Sequence, residues 1–357
     1  MLKIVHVVSS FEQGGVQTGI LYSIKELREK FDYTVLVYTA DNEWLKDFPD
    51  EIKSNIIIIG SSNMFIASLK AFKILSKMKP DVVVSSLWKS VPVATVYKVF
   101  NPKICLCGFY HSCATIHFVD SFFLWLLAKL QDMSLADSNA TSRFIEKNFG
   151  VKQPVIVPYL FDFTIPPKTK SFDPLEIKIA YFGRLTKLKG IERAILFCKL
   201  CKEAGINFQF DIYGMGDIEK YNNVIANNGL NNEVKIKSLL PLNEVQSTMQ
   251  KYDFLLQLSN FEGMALSVVE ALSCGLVPLV TPVGEIEHYT KDGVNAIWLD
   301  RDFDQSLHLL VKKLLNVLDN PEVYQKLSIA ASQTFKNKKK YTESFTFGIN
   351  DFFKSKK

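Results

Sequence analysis

Short apolar runs alternate with helical stretches along almost the whole chain, and this alternation restricts the fold more than any other feature. The runs are nearly continuous rather than alternately polar and apolar, which is typical of parallel strands buried on both faces. They lie at residues 2–8, 33–39, 55–59, 81–85, 103–109, 154–157, 177–182, 207–213, 233–237, 253–258 and 276–280. Stretches with helical periodicity separate most of them, as at 16–30, 65–78, 189–204, 241–251 and 265–274. The sequence therefore predicts an α/β fold of doubly wound parallel sheets covered by helices.

A break in this alternation divides the chain. Residues 161–175 are rich in proline and lysine and have no helical period. A length of 357 residues also suits two domains, at roughly 150 residues per domain. We predict Rossmann-like domains over 1–165 and 176–340, with a C-terminal helix over 341–357 that packs back on the first domain. Because ligands of such sheets bind at the carboxyl ends of the strands, we expect the two domains to face one another across a central cleft.

Charge and hydropathy narrow the classes of partner. The 42 Lys and Arg residues against 37 Asp and Glu residues give a net charge of +5. This balance is weak evidence for nucleic acid but allows an anionic small molecule or an anionic membrane surface. The longest apolar run, 122–128, is far shorter than the roughly 20 residues of a membrane span, and residues 2–8 lack the features of a leader. The six cysteines lack the spacing of a secreted disulfide framework, so we expect a soluble, cytoplasmic protein with reduced thiols.

Two clusters contain residue types that bind metals. The first comprises Cys105, Cys107, His111, Cys113 and His117. Its spacing matches no zinc pattern, and the intervening apolar residues fit a buried strand, so buried thiols are the favoured interpretation. The second comprises Asp300, Asp302 and Asp304. It precedes a helical run, where carboxylates cap the helix and interact with its dipole. We expect no metal at either cluster.

Gly14 and Gly15 follow the first predicted strand and open a helix. Glycines at this position let the backbone approach an anion at a helix N-terminus, where free amides favour negative charge. The segment is not a GxGxxG dinucleotide motif, because only Gly19 follows. A tight turn and an anion-binding loop are equally compatible with the pattern.

A second glycine loop contains two cations. The strand at 177–182 is followed by Gly183, Arg184 and, after a short loop, Lys189. An arginine fork and a lysine point charge at the carboxyl end of a strand suit a diphosphate, although two solvated surface cations are the alternative. The loop at 213–217, with Gly214, follows the next strand and could form a wall of a nucleotide site.

The segment 259–285 carries the most specific pattern. Glu262 and Glu270 are eight residues apart, which on a continuous helix is about 12 Å. That separation exceeds the roughly 5–9.5 Å that a glycosidase carboxylate pair requires, so it favours a long ligand with one polyhydroxyl ring at each carboxylate. The amides of Gly263, Met264 and Ala265, at the expected helix start, could meet a phosphate.

These motifs together resemble the GT4 family of retaining glycosyltransferases. The similarity lies in the Gly183-Arg184 loop with Lys189, the 213–217 loop, and Glu262 with Glu270 before Cys274-Gly275-Leu276-Val277-Pro278. It is strong over 177–290 and weaker over 1–160. The resemblance implies the GT-B fold, in which two Rossmann-like domains hold a nucleotide sugar.

The resemblance also implies roles for individual residues. Arg184 and Lys189 would bind the donor diphosphate, Glu270 the ribose and Glu262 the transferred sugar. His111 would be the family's mid-domain histidine near the reacting sugar, with His117 as a nearby alternative. The implied catalytic residues are thus Glu262, Arg184, Lys189 and His111. The implied donor-binding residues are Gly15, Gly183, Arg184, Lys189, Gly214, Glu262, Gly263, Met264, Ala265, Leu266 and Glu270.

The expected function is transfer of a hexose or N-acetylhexosamine from a nucleotide sugar, by analogy UDP-linked, to a growing glycan or lipid-linked acceptor of a bacterial surface polysaccharide. Fixed cations stabilise the leaving diphosphate, so no metal or cofactor is expected. A nucleotide-sugar 2-epimerase of the same fold and a non-catalytic nucleotide-sugar-binding subunit are the alternatives.

The sequence constrains the binding site for the acceptor less than that for the donor. Aromatic residues that could face a lipid-linked acceptor are Tyr110, Phe118, Phe122, Phe123 and Trp125, and lysines that could meet anionic head groups are Lys98, Lys103 and Lys129. A buried amphipathic helix explains these aromatics more simply and is the preferred interpretation.

Overall fold

A computed structural model describes residues 1–12, 14–46, 48–115, 117–162, 172–300 and 303–356. The chain forms two compact units, one comprising Met1–Phe161 and Lys339–Lys357 and the other Asp162–Lys338. Most of the predicted linker, namely residues 163–171, lies outside the described residues, as does Asp302 of the aspartate cluster.

Unit 1 is built on a parallel sheet of seven strands. The strands are β1 (Lys3–Phe11), β2 (Asp32–Ala40), β3 (Ile56–Ile58), β4 (Val82–Ser86), β5 (Cys105–Tyr110), β6 (Met133–Ala136) and β7 (Val155–Ile156). Their order in the sheet is β3-β2-β1-β4-β5-β6-β7, and every described pairing is parallel. The order reverses between β1 and β4, which makes the carboxyl ends of these two strands the topological switch point.

Helices cover the sheet of unit 1. They are α1 (Gly15–Lys30), α2 (Asn42–Lys46), α3 (Asp50–Lys53), α4 (Met64–Met78), α5 (Val91–Phe100), α6 (Phe118–Leu130) and α7 (Asn139–Phe149), with a 3₁₀ turn at Trp88–Ser90. Small residues on α4, such as Ala67 and Ala71, are fully buried and allow close packing on the central strands. Asn63 caps α4 by accepting hydrogen bonds from the amides of Phe65 and Ile66, which satisfies two of the free donors at its start.

Unit 2 repeats the architecture with six parallel strands. They are β8 (Ile177–Phe182), β9 (Phe208–Tyr213), β10 (Val234–Lys237), β11 (Phe254–Gln257), β12 (Val277–Val280) and β13 (Ile297–Trp298), in the order β10-β9-β8-β11-β12-β13. The helices are α8 (Ile191–Glu203), α9 (Ile218–Asn227), α10 (Leu242–Met249), α11 (Leu266–Ser273), α12 (Ile286–Tyr289), α13 (Phe303–Asp319) and α14 (Pro321–Gln333). The switch point of this sheet lies between β8 and β11. The last helix, α15 (Tyr341–Ser355), returns to unit 1, where Phe345 packs against Tyr33 of β2.

The predicted fold class is confirmed, and each predicted strand is present. The pattern missed β6 and β13. The sequence of β6, MSLA, is short and interrupted by a serine, and β13 has only two residues. β6 lacks the run of four or more apolar residues that identifies a buried strand, and β13 lies in a run, 296–299, that has only that minimum length.

Candidate functional site

The loop that carries Arg184 and Lys189 meets Glu262, the first glutamate of the predicted pair, at the switch point of the unit 2 sheet. Arg184 lies two residues beyond the end of β8, and Lys189 ends a 3₁₀ turn at Lys187–Lys189. Glu262 lies in the loop that follows β11, the strand beside β8. Since the carboxyl ends of adjacent parallel strands lie at one edge of the sheet, the two loops are held side by side.

A glycine makes this approach possible. Gly190 has φ +68°, and a Cβ there would collide with the main-chain carbonyl of Leu258 just after β11. The contact is reinforced by the amide of Asn260, which donates to the carbonyl of Leu188 at 2.9 Å. Arg193 of α8 donates to the carbonyl of Leu258 at 2.8 Å and to Oδ1 of Asn260 at 2.6 Å. The two loops therefore form one rigid rim.

Glu262 is a buried carboxylate held by several donors. Its side chain is 4% exposed, and Nζ of Lys189 lies 2.8 Å from Oε1 and 2.7 Å from Oε2. Oε1 also accepts hydrogen bonds from Nε2 of Gln257 and Oγ of Ser259, both at 2.6 Å. Oγ of Ser267 in turn donates to Oε1 of Gln257 at 2.6 Å, which fixes the orientation of that amide. A buried charge is tolerated when it is paired and hydrogen-bonded in this way.

Two tyrosines hold the loops around this carboxylate. The hydroxyl of Tyr181 donates to the carbonyl of Arg184 at 2.9 Å, and that of Tyr289 donates to the carbonyl of Met264 at 2.8 Å. Burial raises the pKa of both hydroxyls well above the usual value, and the negative charge of Glu262 raises it further. Both tyrosines therefore remain protonated donors at neutral pH.

Arg184 differs from Lys189 in its surroundings. Its side chain is exposed, and no ion pair joins it to another residue of the described chain. The loop that presents it is braced by the 213–217 loop: the amide of Gly183 donates to the carbonyl of Tyr213 at 3.0 Å, and that of Leu185 to the carbonyl of Met215 at 2.7 Å. A Cβ on Gly214 would collide with the carbonyl of Gly183, so the predicted glycine wall is in direct contact with the cationic loop.

The structure corrects the expected start of the glutamate helix. α11 begins at Leu266 rather than near Met264, because Ala265 adopts a left-handed conformation with φ 56° and ψ 70°. Gly263, Met264 and Ala265 therefore precede the helix, and the amides left free by helix geometry are those of the first turn, from Leu266 onward. Three of the seven residues between the two glutamates are not helical, so the 12 Å separation, which assumed a continuous helix, does not apply.

Glu270 lies within α11 and is buried, with 5% of its surface exposed. Burial first, and then the charge of Glu270, raises the pKa of the nearby Cys274 thiol to about 12. Glu270 is thus a buried carboxylate rather than a solvated surface side chain.

The two candidates from the first half of the chain lie in unit 1. Gly15 is the first residue of α1 and Gly14 its N-cap. His111, directly after β5, is buried with 4% of its side chain exposed. Its Nε2 lies 2.8 Å from Oγ of Ser86, and its Nδ1 lies 2.7 Å from the hydroxyl of Tyr159. His117 instead occupies the N-cap of α6 and is exposed.

Sequence reasoning missed the polar residues that hold these groups. Gln257 and Ser259 stand at the carboxyl end of β11, and His6 lies within the apolar strand β1. A polar side chain inside or at the end of a buried strand must form a hydrogen bond to another group. The positions of these residues in the sequence therefore could have identified them as members of a hydrogen-bond network.

Two of the three cysteines in the first cluster are buried, whereas Cys113 is half-buried. Cys105 and Cys107 are buried on β5, and burial raises the pKa of the Cys105 thiol to about 12. None of the six cysteines, all of which lie in the described ranges, forms a disulfide bond. Among the described residues, no group of three or more His, Cys, Asp or Glu side chains has an arrangement that could hold a metal ion.

The preference for a buried amphipathic helix around Phe118–Leu130 is wrong. In α6 only Asp120 and Leu127 are fully buried, whereas Phe118 is 86% exposed and Phe122 and Trp125 are also exposed. Apolar residues surround the whole helix, so packing one side on the sheet leaves the other side in solvent. Tyr110 is buried in β5, and Lys98 is not free for head groups because it binds Asp132 at 2.7 Å. None of the helices in the described ranges is both long and apolar enough to cross a membrane.

Two doubly wound parallel sheets, with a basic glycine loop facing a buried glutamate in the second, define a protein of the GT-B fold class. Over 99% of both chains, the fold matches the crystal structure of Anabaena Alr3699/HepE in complex with UDP-glucose, with a TM-score of 0.82 and 14% sequence identity. Residues 165–334 match the family model "Glycosyl transferases group 1". Through this region, which is just under half of the chain, the sequence is similar to the group 1 glycosyl transferases.

Curated relatives carry related names. The poly(glycerol-phosphate) alpha-glucosyltransferase of Bacillus subtilis is 25% identical over 240 residues, which cover 65% of this chain and 33% of that protein. The amylovoran biosynthesis glycosyltransferase AmsK of Erwinia amylovora is 31% identical over 146 residues, 39% of this chain and 36% of that protein. The matched region thus spans about a third of the length of these relatives.

The contrast between the two cations predicts different effects on stability. Lys189→Met leaves the carboxylate of Glu262 without its cation, so we expect the free energy of unfolding to fall by about 1–3 kcal/mol. Arg184→Met removes an exposed charge and should change it by less than about 0.5 kcal/mol. Denaturant unfolding of both variants measures the difference, and equal losses would contradict a structural role for the Lys189–Glu262 pair.

Proposed function

We propose that this chain is a retaining glycosyltransferase that moves a hexose or N-acetylhexosamine from a nucleotide sugar to a growing glycan or lipid-linked acceptor. The observation that carries the proposal is the pair of Glu262 and Lys189 at the switch point of unit 2, beside the exposed side chain of Arg184. The match of this unit to the family model supports the same reaction class.

The chemistry of these groups fits departure of a nucleoside diphosphate. As the bond between the anomeric carbon and the diphosphate oxygen breaks, negative charge grows on the phosphate oxygens. Lys189 is a cation already held by Glu262, and Arg184 is a cation presented by a braced loop, so both can stabilise this charge. We assign the diphosphate to them, the transferred sugar to Glu262 and the ribose to Glu270. Gly15 and His111 are assigned to the phosphates and the reacting sugar.

We propose a UDP-linked donor and an acceptor from a bacterial surface polysaccharide, such as lipopolysaccharide, O-antigen or capsule. The complex of HepE with UDP-glucose supports the donor, and a relative named for amylovoran biosynthesis supports the class of acceptor.

We further propose that the enzyme works in the cytoplasm, docked on the inner face of the inner membrane through unit 1. Three neighbouring helices of this unit carry exposed apolar side chains: Phe65, Ile66 and Leu69 on α4, Val96, Val99 and Phe100 on α5, and Phe118, Phe122 and Trp125 on α6. Exposed lysines, among them Lys70, Lys73 and Lys129, lie on the same helices. Aromatic side chains combined with lysines suit an anionic lipid surface.

Isosteric changes at the two glutamates test the assignment of the donor. Glu270→Gln should weaken binding of UDP about tenfold, since a charge-assisted contact to the ribose is worth about 1.5 kcal/mol. Glu262→Gln should leave UDP affinity unchanged or raise it, because Lys189 is released from its carboxylate. Glu262→Gln should still lower kcat at least about a hundredfold, because the contact of the Glu262 carboxylate with the sugar acts mainly in the transition state.

Calorimetry with UDP and turnover with a panel of UDP-sugars, each with and without acceptor, measure these effects. Equal loss of UDP affinity in both variants would show that the carboxylates are wrongly assigned. Epimerisation of donor alone would indicate a 2-epimerase, and donor binding without any turnover a non-catalytic subunit.

We propose that the reaction needs no metal, since the charge on the leaving group is met by side chains. Turnover should therefore persist in excess EDTA within about twofold, as measured by release of UDP. Complete loss on chelation, with recovery on added manganese, would contradict charge stabilisation by Arg184 and Lys189.

Vesicle binding tests the docking surface. The double variant Phe118→Ser/Phe122→Ser should bind vesicles of phosphatidylglycerol and phosphatidylethanolamine about tenfold more weakly than wild type, because burial of apolar side chains drives such binding. Phe347→Ser, which removes an exposed phenylalanine from α15, is the matched control and should bind as wild type does. Co-sedimentation measures both, and equal binding by all three proteins would rule out this surface.

A further inference from the structure

A chain of four hydrogen bonds crosses the interior of unit 1 at the switch point of its sheet. The hydroxyl of Tyr33 lies 2.7 Å from Nδ1 of His6, and Nε2 of His6 lies 2.7 Å from Oγ of Ser86. The same Oγ lies 2.8 Å from Nε2 of His111, whose Nδ1 lies 2.7 Å from the hydroxyl of Tyr159. The chain runs across the adjacent strands β2, β1 and β4 to the end of β5.

The serine couples the tautomers of the two histidines. Ser86 has one hydroxyl proton and is fully buried. Among the described residues, its Oγ has hydrogen bonds to the two ring nitrogens and to no other group. It therefore donates to one histidine and accepts from the other, because two accepting bonds would leave its own proton unpaired in a dry interior. When Nε2 of one ring carries a proton, Nε2 of the other must lack one.

A carboxylate selects between the two possible directions of donation along this chain of hydrogen bonds. Oδ2 of Asp137, itself buried, lies 4.0 Å from Nδ1 of His111, and its negative charge favours a proton on that nitrogen. Nε2 of His111 then accepts from Ser86, Ser86 accepts from Nε2–H of His6, and Nδ1 of His6 accepts from Tyr33. Burial lowers the pKa of His6 to about 3 and that of His111 well below its usual value, so both rings are neutral near pH 7.

We propose that His6, acting through Ser86, is a positioning residue that keeps His111 as the neutral tautomer with its proton on Nδ1. The ring of Phe109 lies 4.2 Å from that of His111 and 6.3 Å from that of His6, which holds the two imidazoles in place. The catalytic consequence rests on the proposed function: a locked neutral histidine keeps the direction of its hydrogen bonds throughout the reaction.

Imidazole NMR reads the tautomers directly. The chain has five histidines, so selective ¹⁵N-histidine labelling gives few signals, and His6→Gln and His111→Gln assign the two that matter. We expect two non-titrating rings between pH 6 and 8, with the proton on Nε2 in His6 and on Nδ1 in His111. The same tautomer in both rings, an average of two tautomers, or titration in this range would overturn the proposal.

Ser86→Ala cuts the link while leaving both rings present. We expect His111 to show a mixture of tautomers, with kcat for sugar transfer at least fivefold lower and KM for the donor within twofold. Ser85→Ala is the matched control, because Ser85 is equally buried on the same strand but bonds to Ser90 instead. It should leave the His111 tautomer unchanged, and an unchanged His111 tautomer in Ser86→Ala would overturn the coupling. Absence of turnover in wild type, with the tautomers as expected, would instead overturn the proposed function.

Discussion

The parallel arrangement of the strands is the constraint on which both candidate sites depend. In a parallel sheet the carboxyl ends lie along one edge, and reversal of the strand order leaves a gap between the loops of two central strands. In unit 2 these strands are β8 and β11, so the loop with Arg184 and Lys189 meets the loop with Glu262. In unit 1 they are β1 and β4, which bring His6 to Ser86. The same topology thus concentrates polar groups at one point of each sheet.

Polar groups so close to an apolar core are stable only when every one is paired, and the two units meet this requirement differently. The carboxylate of Glu262 is paired with an ammonium and accepts hydrogen bonds from two neutral donors. His6 and His111 instead lose their charge to burial and are satisfied by hydroxyl groups. The first arrangement preserves an ion pair that a charged ligand can compete for, whereas the second preserves a fixed order of hydrogen bonds.

The sequence was sufficient for the fold and for the residues of unit 2 that stand in loops after strong strands. Arg184, Lys189 and Glu262 could be selected because each follows an unmistakable apolar run. The contact between Lys189 and Glu262 could not be predicted, since the two are 73 residues apart and meet only through the pairing of β8 with β11. The start of α11 and the exposure of α6 were harder still to predict from the sequence. The left-handed Ala265, which moves the start of α11, has none of the usual signals of a glycine or asparagine. The exposure of α6 was misjudged because a helix that is apolar on all sides does not reveal which side packs.

The Lys189–Glu262 pair bears directly on how the proposed reaction would gain its rate. A lysine ammonium has three donors, and the two oxygens of Glu262 engage two of them at 2.8 Å and 2.7 Å. One donor remains for a phosphate oxygen, so Lys189 can bind the donor substrate without leaving the carboxylate. A partly neutralised cation attracts the ground-state diphosphate less than an unpaired one does. Its remaining donor gains strength as charge moves onto the leaving oxygen, and interactions that strengthen in this way raise kcat rather than substrate affinity. Arg184, which has no such partner among the described residues, would in the proposed reaction supply the ground-state attraction.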